Sequence, residues 1–490
     1  MRNLLKHSLL FITYGSISSI AAVIIVYVTQ LQNRPDLHAW HLAELDEEFT
    51  ASQSADIKSL ADYQQLEQRL FDQLQERVNS QIKEKDRRLL NRYNTGSLAD
   101  PEIYARNWNR TFELSLPKPR GGVLLIHGAS DSPYSLRSLG EIFHSMGFWV
   151  VGLRLPGHGT APSGLLNATW QDFAAATEIA AQHTKTKVGE DKPFYIAGYS
   201  TGAALAVEYS LEILAGKNNP LPAGLILISP AIGVPPYAKW AVWQVRISNL
   251  VGMKKLAWNS IQPEFDPFKY NSFAVNAGDQ VYKLTLEIAK GISKLDKGEG
   301  VKNFPKVLAF QSVVDATVTT PALINGLLDR LAPEGHELVL FDVNRYAEVE
   351  AVMISNPEAT TDALINDRTL PFNLTLITNT SDETNEVMVK HMLANSDQVS
   401  VEPLDLSWPQ GIFSLSHVAL PIPPDDPVYG SLAQANNPGL HLGKIEAFGE
   451  RGLLLIPADY LIRLRYNPFF SYLKQRAEEF VENETNQVSQ

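Results

Sequence analysis

An apolar run, Phe194-Tyr195-Ile196-Ala197, passes straight into Gly198-Tyr199-Ser200-Thr201-Gly202 and then into Ala203-Ala204-Leu205-Ala206-Val207. A strand that turns this abruptly into a small-residue helix needs glycine on both sides of the turn, because side chains there would collide with the tight backbone. The pattern restricts the chain to architectures in which strands feed helices packed on a sheet. It also lifts the Ser200 hydroxyl clear of the sheet, where a nucleophile is useful.

The rest of the chain agrees with a mostly parallel sheet from about Thr111 onward, since short apolar runs alternate there with helical segments. We expect strands at Gly122 to Ile126, Phe148 to Leu153, Phe194 to Ala197, Leu225 to Ser229 and Val307 to Gln311, with further ones at Leu338 to Val343 and Leu374 to Thr378. Helices are expected near Ser135 to Met146, Thr169 to His183, Thr201 to Leu214 and Pro321 to Leu331. Ala458 to Val481 reads as a closing helix with a break at Pro468. Two segments interrupt the alternation. Residues 231–302 carry eight aromatics from Tyr237 to Phe273 and suit a cap over the strand ends, and residues 345–410 form a second insertion.

The chain begins differently. Ser8 to Val28 contains no charge, and a stretch of about 20 such residues spans a bilayer core of roughly 30 Å. Arg2 and Lys6 precede it and Asp36, Glu44, Asp46, Glu47 and Glu48 follow, which leaves the N-terminus in the cytoplasm. An uncleaved single-pass anchor is the expectation, with the body extracytoplasmic, as on a bacterial inner membrane facing the periplasm. A cleaved signal peptide is the alternative, and a buried soluble helix is weaker. The domain plan is therefore an anchor over 1–35, a helical extension over 36–110 and an α/β domain over 111–490. Within the extension, Leu60, Tyr63, Leu66, Leu70, Phe71, Leu74, Val78 and Ile82 recur at helical spacing, a stripe best explained by packing on the main body.

Composition removes several function classes. A net charge of −12 argues against nucleic acid as a partner, and the absence of cysteine excludes disulfides, thiolate metal sites and a cysteine nucleophile. No His/Asp/Glu cluster has ligand spacing, so neither metal nor organic cofactor is implied. Nothing in the sequence sets an oligomeric state.

A serine nucleophile needs a base, an acid to orient the base, and donors for the oxyanion that forms. The donors are expected to be the N–H of Thr201 and that of Ala129, which follows the strand-ending turn His127-Gly128. His127 reads as a positioning residue. The acid should follow a later strand, which selects Asp315 after Val307 to Gln311, with Asp382 as runner-up. Of the later histidines, His417 in the loop Phe413 to Pro421 suits the base, while His391 sits on a helix-like stretch and His336 falls before a strand. His441 stays open as a further base.

The run from Val123 to Gly159, GYSTG around Ser200 and the Asp315 loop resemble the α/β-hydrolase superfamily, nearest to the monoacylglycerol lipase and lysophospholipase group and to bacterial carboxylesterases. Leu155-Pro156-Gly157-His158-Gly159 followed by Thr169-Trp170-Gln171-Asp172 is similar to a loop and helix start of those esterases. The resemblance covers about 111–332 and resumes near His417. It implies a Ser200, Asp315 and His417 triad, an oxyanion hole at Ala129 and Thr201, and a structural His158. It further implies hydrolysis of carboxylic esters through an acyl-enzyme, with an acyl lipid such as a monoglyceride or lysophospholipid as substrate. The alternatives are a non-catalytic envelope binding or scaffold protein, and an acyltransferase or thioesterase using the same residues. The chain departs from the family in its anchor and extension, its large cap, and the roughly hundred residues between Asp315 and His417.

Overall fold

Each strand expected between residues 122 and 378 forms in the computed structural model, and all join one sheet. The structure describes residues 33–87, 90–233, 254–347, 353, 357–432, 437–444 and 458–488, with scattered positions before 33. The expected membrane segment at 8–28 lies largely outside the described residues, as do Tyr237, Trp240 and Trp243 of the expected cap. No helix among the described residues is long and apolar enough to cross a membrane.

The strands are β1 (Phe112–Leu114), β2 (Gly121–Ile126), β3 (Phe148–Leu153), β4 (Phe194–Tyr199), β5 (Gly224–Ile228), β6 (Trp258–Ser260), β7 (Phe273–Ala274), β8 (Lys306–Ser312), β9 (Glu337–Phe341), β10 (Asn373–Asn379), β11 (Glu386–Met392) and β12 (Val399–Ser407). β6 and β7 pair separately, and the others lie in the order β1-β3-β2-β4-β5-β8-β9-β10-β11-β12. From β3 to β10 every pairing is parallel, while β1, β11 and β12 run antiparallel at the two edges. All six residues of β2 and of β4 are buried, as expected of parallel strands covered on both faces.

The helices are α1 (Leu60–Arg77), α2 (Arg137–Ser145), α3 (Trp170–Val188), α4 (Thr201–Leu214), α5 (Val275–Leu295), α6 (Thr320–Gly326), α7 (Glu358–Ile365) and α8 (Phe470–Val488). α4 matches its expected bounds, because the Ser200 turn fixes its start. The segment expected as one closing helix is instead a short turn of helix at Ala458–Leu461, a break, and α8. Asn467 and Pro468 make that break, the Asn467 side-chain oxygen accepting the Phe469 N–H.

The insertion at 345–410 extends the sheet. β10, β11 and β12 add to the β9 edge, so the chain travels three strands outward before it returns with His417. His391 is a correction: it lies on β11 rather than on a helix, and its Nδ1 is 3.0 Å from Thr375 Oγ1 on the neighbouring strand. Its central residues, Met388 to His391, are all half-buried, and the strand pairs with β10 on one side and β12 on the other. From the region expected as a cap, α5 packs Leu284, Ile288 and Ile292 into the main core, and Trp258, Phe265, Phe268 and Tyr270 are buried.

The extension is bolted to the body. Ser59 and Asp62 form a reciprocal cap at the start of α1, which buries Tyr63 and Leu66 in the same core as β2 and β4. Next to them the guanidinium of Arg154, at the end of β3, reaches Glu67 at 3.1 Å and Glu48 at 2.9 Å. Arg154 also donates to the carbonyl of His158 at 3.0 Å, and Glu67 accepts from the N–H and hydroxyl of Thr111. A buried charge is tolerated only when its hydrogen bonds are satisfied in this way.

Candidate active site

Ser200 stands between β4 and α4 with φ 54° and ψ −113°, a backbone conformation that side chains rarely adopt. Surrounding hydrogen bonds hold it there: its N–H donates to Ile228 at 2.9 Å, and its carbonyl accepts from Ala203, Ala204 and Ala231. The flanking glycines are needed for space. A Cβ at Gly202 would lie 2.0 Å from the Ile126 carbonyl oxygen, and one at Gly198 would lie 2.5 Å from the Ala203 backbone. The elbow expected from the sequence is thus enforced by backbone on both sides.

The turn after β2 lies against this serine, since a Cβ at Gly128 would be 3.0 Å from that of Ser200. Its orientation is set by His127, which is fully buried. Leu155 donates its N–H to His127 Nε2 at 3.0 Å, so the ring proton is on Nδ1, which donates to the Gly128 carbonyl at 2.8 Å. In a planar trans peptide the N–H points opposite to the C=O, so this bond turns the Ala129 N–H away from His127. Thr201 is the first residue of α4, and a helix offers its first N–H groups no internal acceptor. Burial, and then neighbouring His158, depress the His127 pKa well below its ordinary value, so the ring stays neutral. His158 is buried edge-on against it at 5.0 Å and donates through Nδ1 to the Pro156 carbonyl at 2.8 Å.

Asp315 follows β8 and His417 follows β12, and the structure brings them together with His417 Nδ1 2.7 Å from Asp315 Oδ2. Burial alone would raise the Asp315 carboxyl, but His417 and the N–H groups of Val318 and Thr317 outweigh it and hold the acid below the usual carboxylate range. The histidine loop is itself tied to the sheet: Ser312 donates to the Leu415 carbonyl at 2.9 Å, and the Asn344 N–H to the Phe413 carbonyl at 2.8 Å. Tyr199, beside the serine, lies 5.3 Å from the His417 ring. Ser200 Oγ makes no direct hydrogen bond to His417, which is common before substrate tightens a site. Ser200, Asp315 and His417 are each at most 8% exposed.

The alternatives lie elsewhere. Asp382 is exposed in the turn between β10 and β11. His336 accepts the Val307 N–H, and His441 is half-exposed in the 437–444 segment. Among the described residues no cluster of three metal-ligating side chains occurs.

A serine on a strained strand-to-helix turn, backbone donors from a preceding strand, and an acid and histidine after later strands of a parallel sheet define this centre. The chain carries an α/β-hydrolase domain. Residues 117–286 match the family described as Serine aminopeptidase, S33. A thermostable monoacylglycerol lipase of Bacillus sp. (strain H-257) is 29% identical over 117 residues, 24% of this chain and 43% of its own. The phospholipase YtpA of Bacillus subtilis (strain 168) is 26% identical over 147 residues, 30% of this chain and 51% of its own. The chain therefore spans about half the length of the curated relatives it matches. A solved monoacylglycerol lipase of Paleococcus ferrophilus has 15% identity and a TM-score of 0.36, covering 48% of this chain and 87% of that one. One feature of the fold had no trace in sequence spacing, the Arg154 network.

Proposed function

We propose that the protein is a membrane-anchored serine hydrolase that cleaves carboxylic esters of acyl lipids through an acyl-enzyme on Ser200. The observation that carries this reading is the Asp315–His417 hydrogen bond at the sheet edge that also presents the strained Ser200. In the first half-reaction His417 Nε2 takes the Ser200 proton as Oγ attacks the ester carbonyl. Asp315 accepts the Nδ1–H and stabilises the imidazolium, and the Ala129 and Thr201 N–H groups face the oxyanion. The acyl–oxygen bond then breaks and His417 returns its proton to the leaving alcohol. Water repeats the sequence on the acyl-enzyme, releasing a carboxylic acid and restoring Ser200.

An acyl lipid substrate is supported by the printed names of the lipase and phospholipase relatives, and by the uncharged 8–28 stretch, which would tether the site to a bilayer with the body extracytoplasmic. A fluorophosphonate probe and p-nitrophenyl esters of graded chain length test the chemistry. Wild-type protein should label and hydrolyse, and Ser200→Ala should lose labelling and cut kcat by about 10⁶-fold. Labelling that persists in Ser200→Ala overturns the assignment, and a folded protein that neither labels nor hydrolyses is a binding protein instead. Protease protection in spheroplasts tests the topology.

A further inference from the structure

A cavity of about 230 Å³ lies where the extension meets the hydrolase body, between α1, the segment from Arg92 to Arg110, and the Gly159-Thr160 turn beyond β3. None of Ser200, Asp315 and His417 lines it. A water takes up about 30 Å³ in the liquid, so the space holds on the order of seven or eight non-hydrogen atoms. It suits a small polar molecule and not an acyl chain.

Arg92, in the wall of this cavity, is only 3% exposed. Its guanidinium lies 5.6 Å from the centre of the Tyr93 ring and 5.4 Å from that of Tyr270. Both rings are pinned by their hydroxyls, Tyr93 donating to the Thr160 carbonyl at 3.0 Å and Tyr270 to the Gly157 carbonyl at 3.2 Å. Arg92 Nη2 reaches the Gly159 carbonyl at only 3.5 Å, and Nη1 has no hydrogen-bond partner among the described residues. Asp100 does not supply one, because its two oxygens accept the Gly96 and Glu102 N–H groups. Glu264 is near enough for the charges to interact, but burial pushes its carboxyl up to about 7, so it offsets only part of the guanidinium at neutral pH. A buried charge in this state is costly, and an anion within reach of Nη1 removes the cost.

The same cavity also holds an unmet acceptor. Asn79 Oδ1, just beyond α1, is buried without a hydrogen-bond partner among the described residues. Asp72 and Glu102 add exposed carboxylates to the wall, whereas Arg110 is engaged elsewhere, stacking on Phe71 at 3.9 Å and donating to Gln68. A plain anion would answer Arg92 and be repelled by these acceptors. A molecule with an ammonium group beside its carboxylate answers both. We propose that the cavity binds a small amino acid as its zwitterion, with the carboxylate on Arg92 and the ammonium toward Asn79 Oδ1, Asp72 and Glu102. The planar fork of a guanidinium is well matched to a carboxylate. This ligand is distinct from the ester substrate, so the site stands independently of the chemistry at Ser200.

Calorimetry on the full-length protein in detergent tests the site, with L-alanine, L-serine and L-valine as titrants and propionate and L-alaninamide as the two half-ligands. At least one amino acid should bind about tenfold or more tightly than either half-ligand. Arg92→Met should abolish that binding. If none of the three amino acids binds, water alone completes Arg92 and the site is overturned. Propionate binding equal to that of the best amino acid, or binding that persists in Arg92→Met, overturns it as well. Should Arg92→Met fail to fold, Asp72→Asn combined with Glu102→Gln decides, since both residues are exposed. That double variant should weaken the amino acid by about threefold or more while propionate binds no less well. An unchanged preference for the amino acid overturns the proposal.

Discussion

Ser200 is held in a strained conformation by backbone alone, so the elbow is most vulnerable at its glycines. Gly202→Ala would push a methyl group to 2.0 Å from the Ile126 carbonyl oxygen, and neither the start of α4 nor the end of β2 can yield without disturbing the sheet. We expect it to destabilise the protein by about 3 kcal/mol or more, read as a shift in the urea midpoint. Asp315→Asn tests a different property of the same centre. The amide preserves shape but can no longer accept the Nδ1 proton as a charge, so the imidazole adopts the wrong tautomer. The expected outcome is a fall in kcat of about 10⁴-fold at unchanged thermal stability, measured on a p-nitrophenyl ester. A small effect would reassign the orienting acid.

At the scale of single elements, α4 carries an acid as well as the nucleophile's turn. Glu208 is buried on this helix, and burial, then Glu212, pushes its carboxyl up to about 7. An acid raised in the folded state holds its proton after the unfolded chain has released it. Stability is therefore highest below the unfolded value near 4.3 and declines as pH rises toward 7. Glu208→Gln should flatten that decline and raise the melting temperature at pH 8, with little change at pH 4. Elements also differ in how well they could be read from sequence. β4 and α4 were legible because their apolar and small residues are set by the turn between them. β11 and β12 were not, since Lys390 and His391 interrupt one and Glu402, Pro403 and Asp405 the other. The β12 residues make sense at an edge, where charge and proline prevent further strand pairing. Asp315 and His417 could be chosen from chain order, whereas Asp266 and Arg465 meet only through tertiary folding.

Across the whole molecule, the extension and the hydrolase body share one core and one ion network. Arg154 joins residues 87 and 106 positions earlier in the chain, a separation that no local pattern discloses. Glu48→Gln combined with Glu67→Gln would leave that guanidinium buried and unpaired, at an expected cost of about 3–5 kcal/mol by chemical denaturation. Adding Arg154→Met should recover much of the loss, because the charge itself is then gone. The same arginine donates to the carbonyl of Leu155, whose N–H aligns His127, so the double variant should also lower kcat more than it raises KM. The outward path through β10, β11 and β12 has a consequence for the catalytic centre. Ser200 and Asp315 are delivered by the parallel interior, but the chain must cross the farthest edge of the sheet before it supplies His417. Recovered activity therefore reports closure of the molecule's outer margin as well as of its parallel interior.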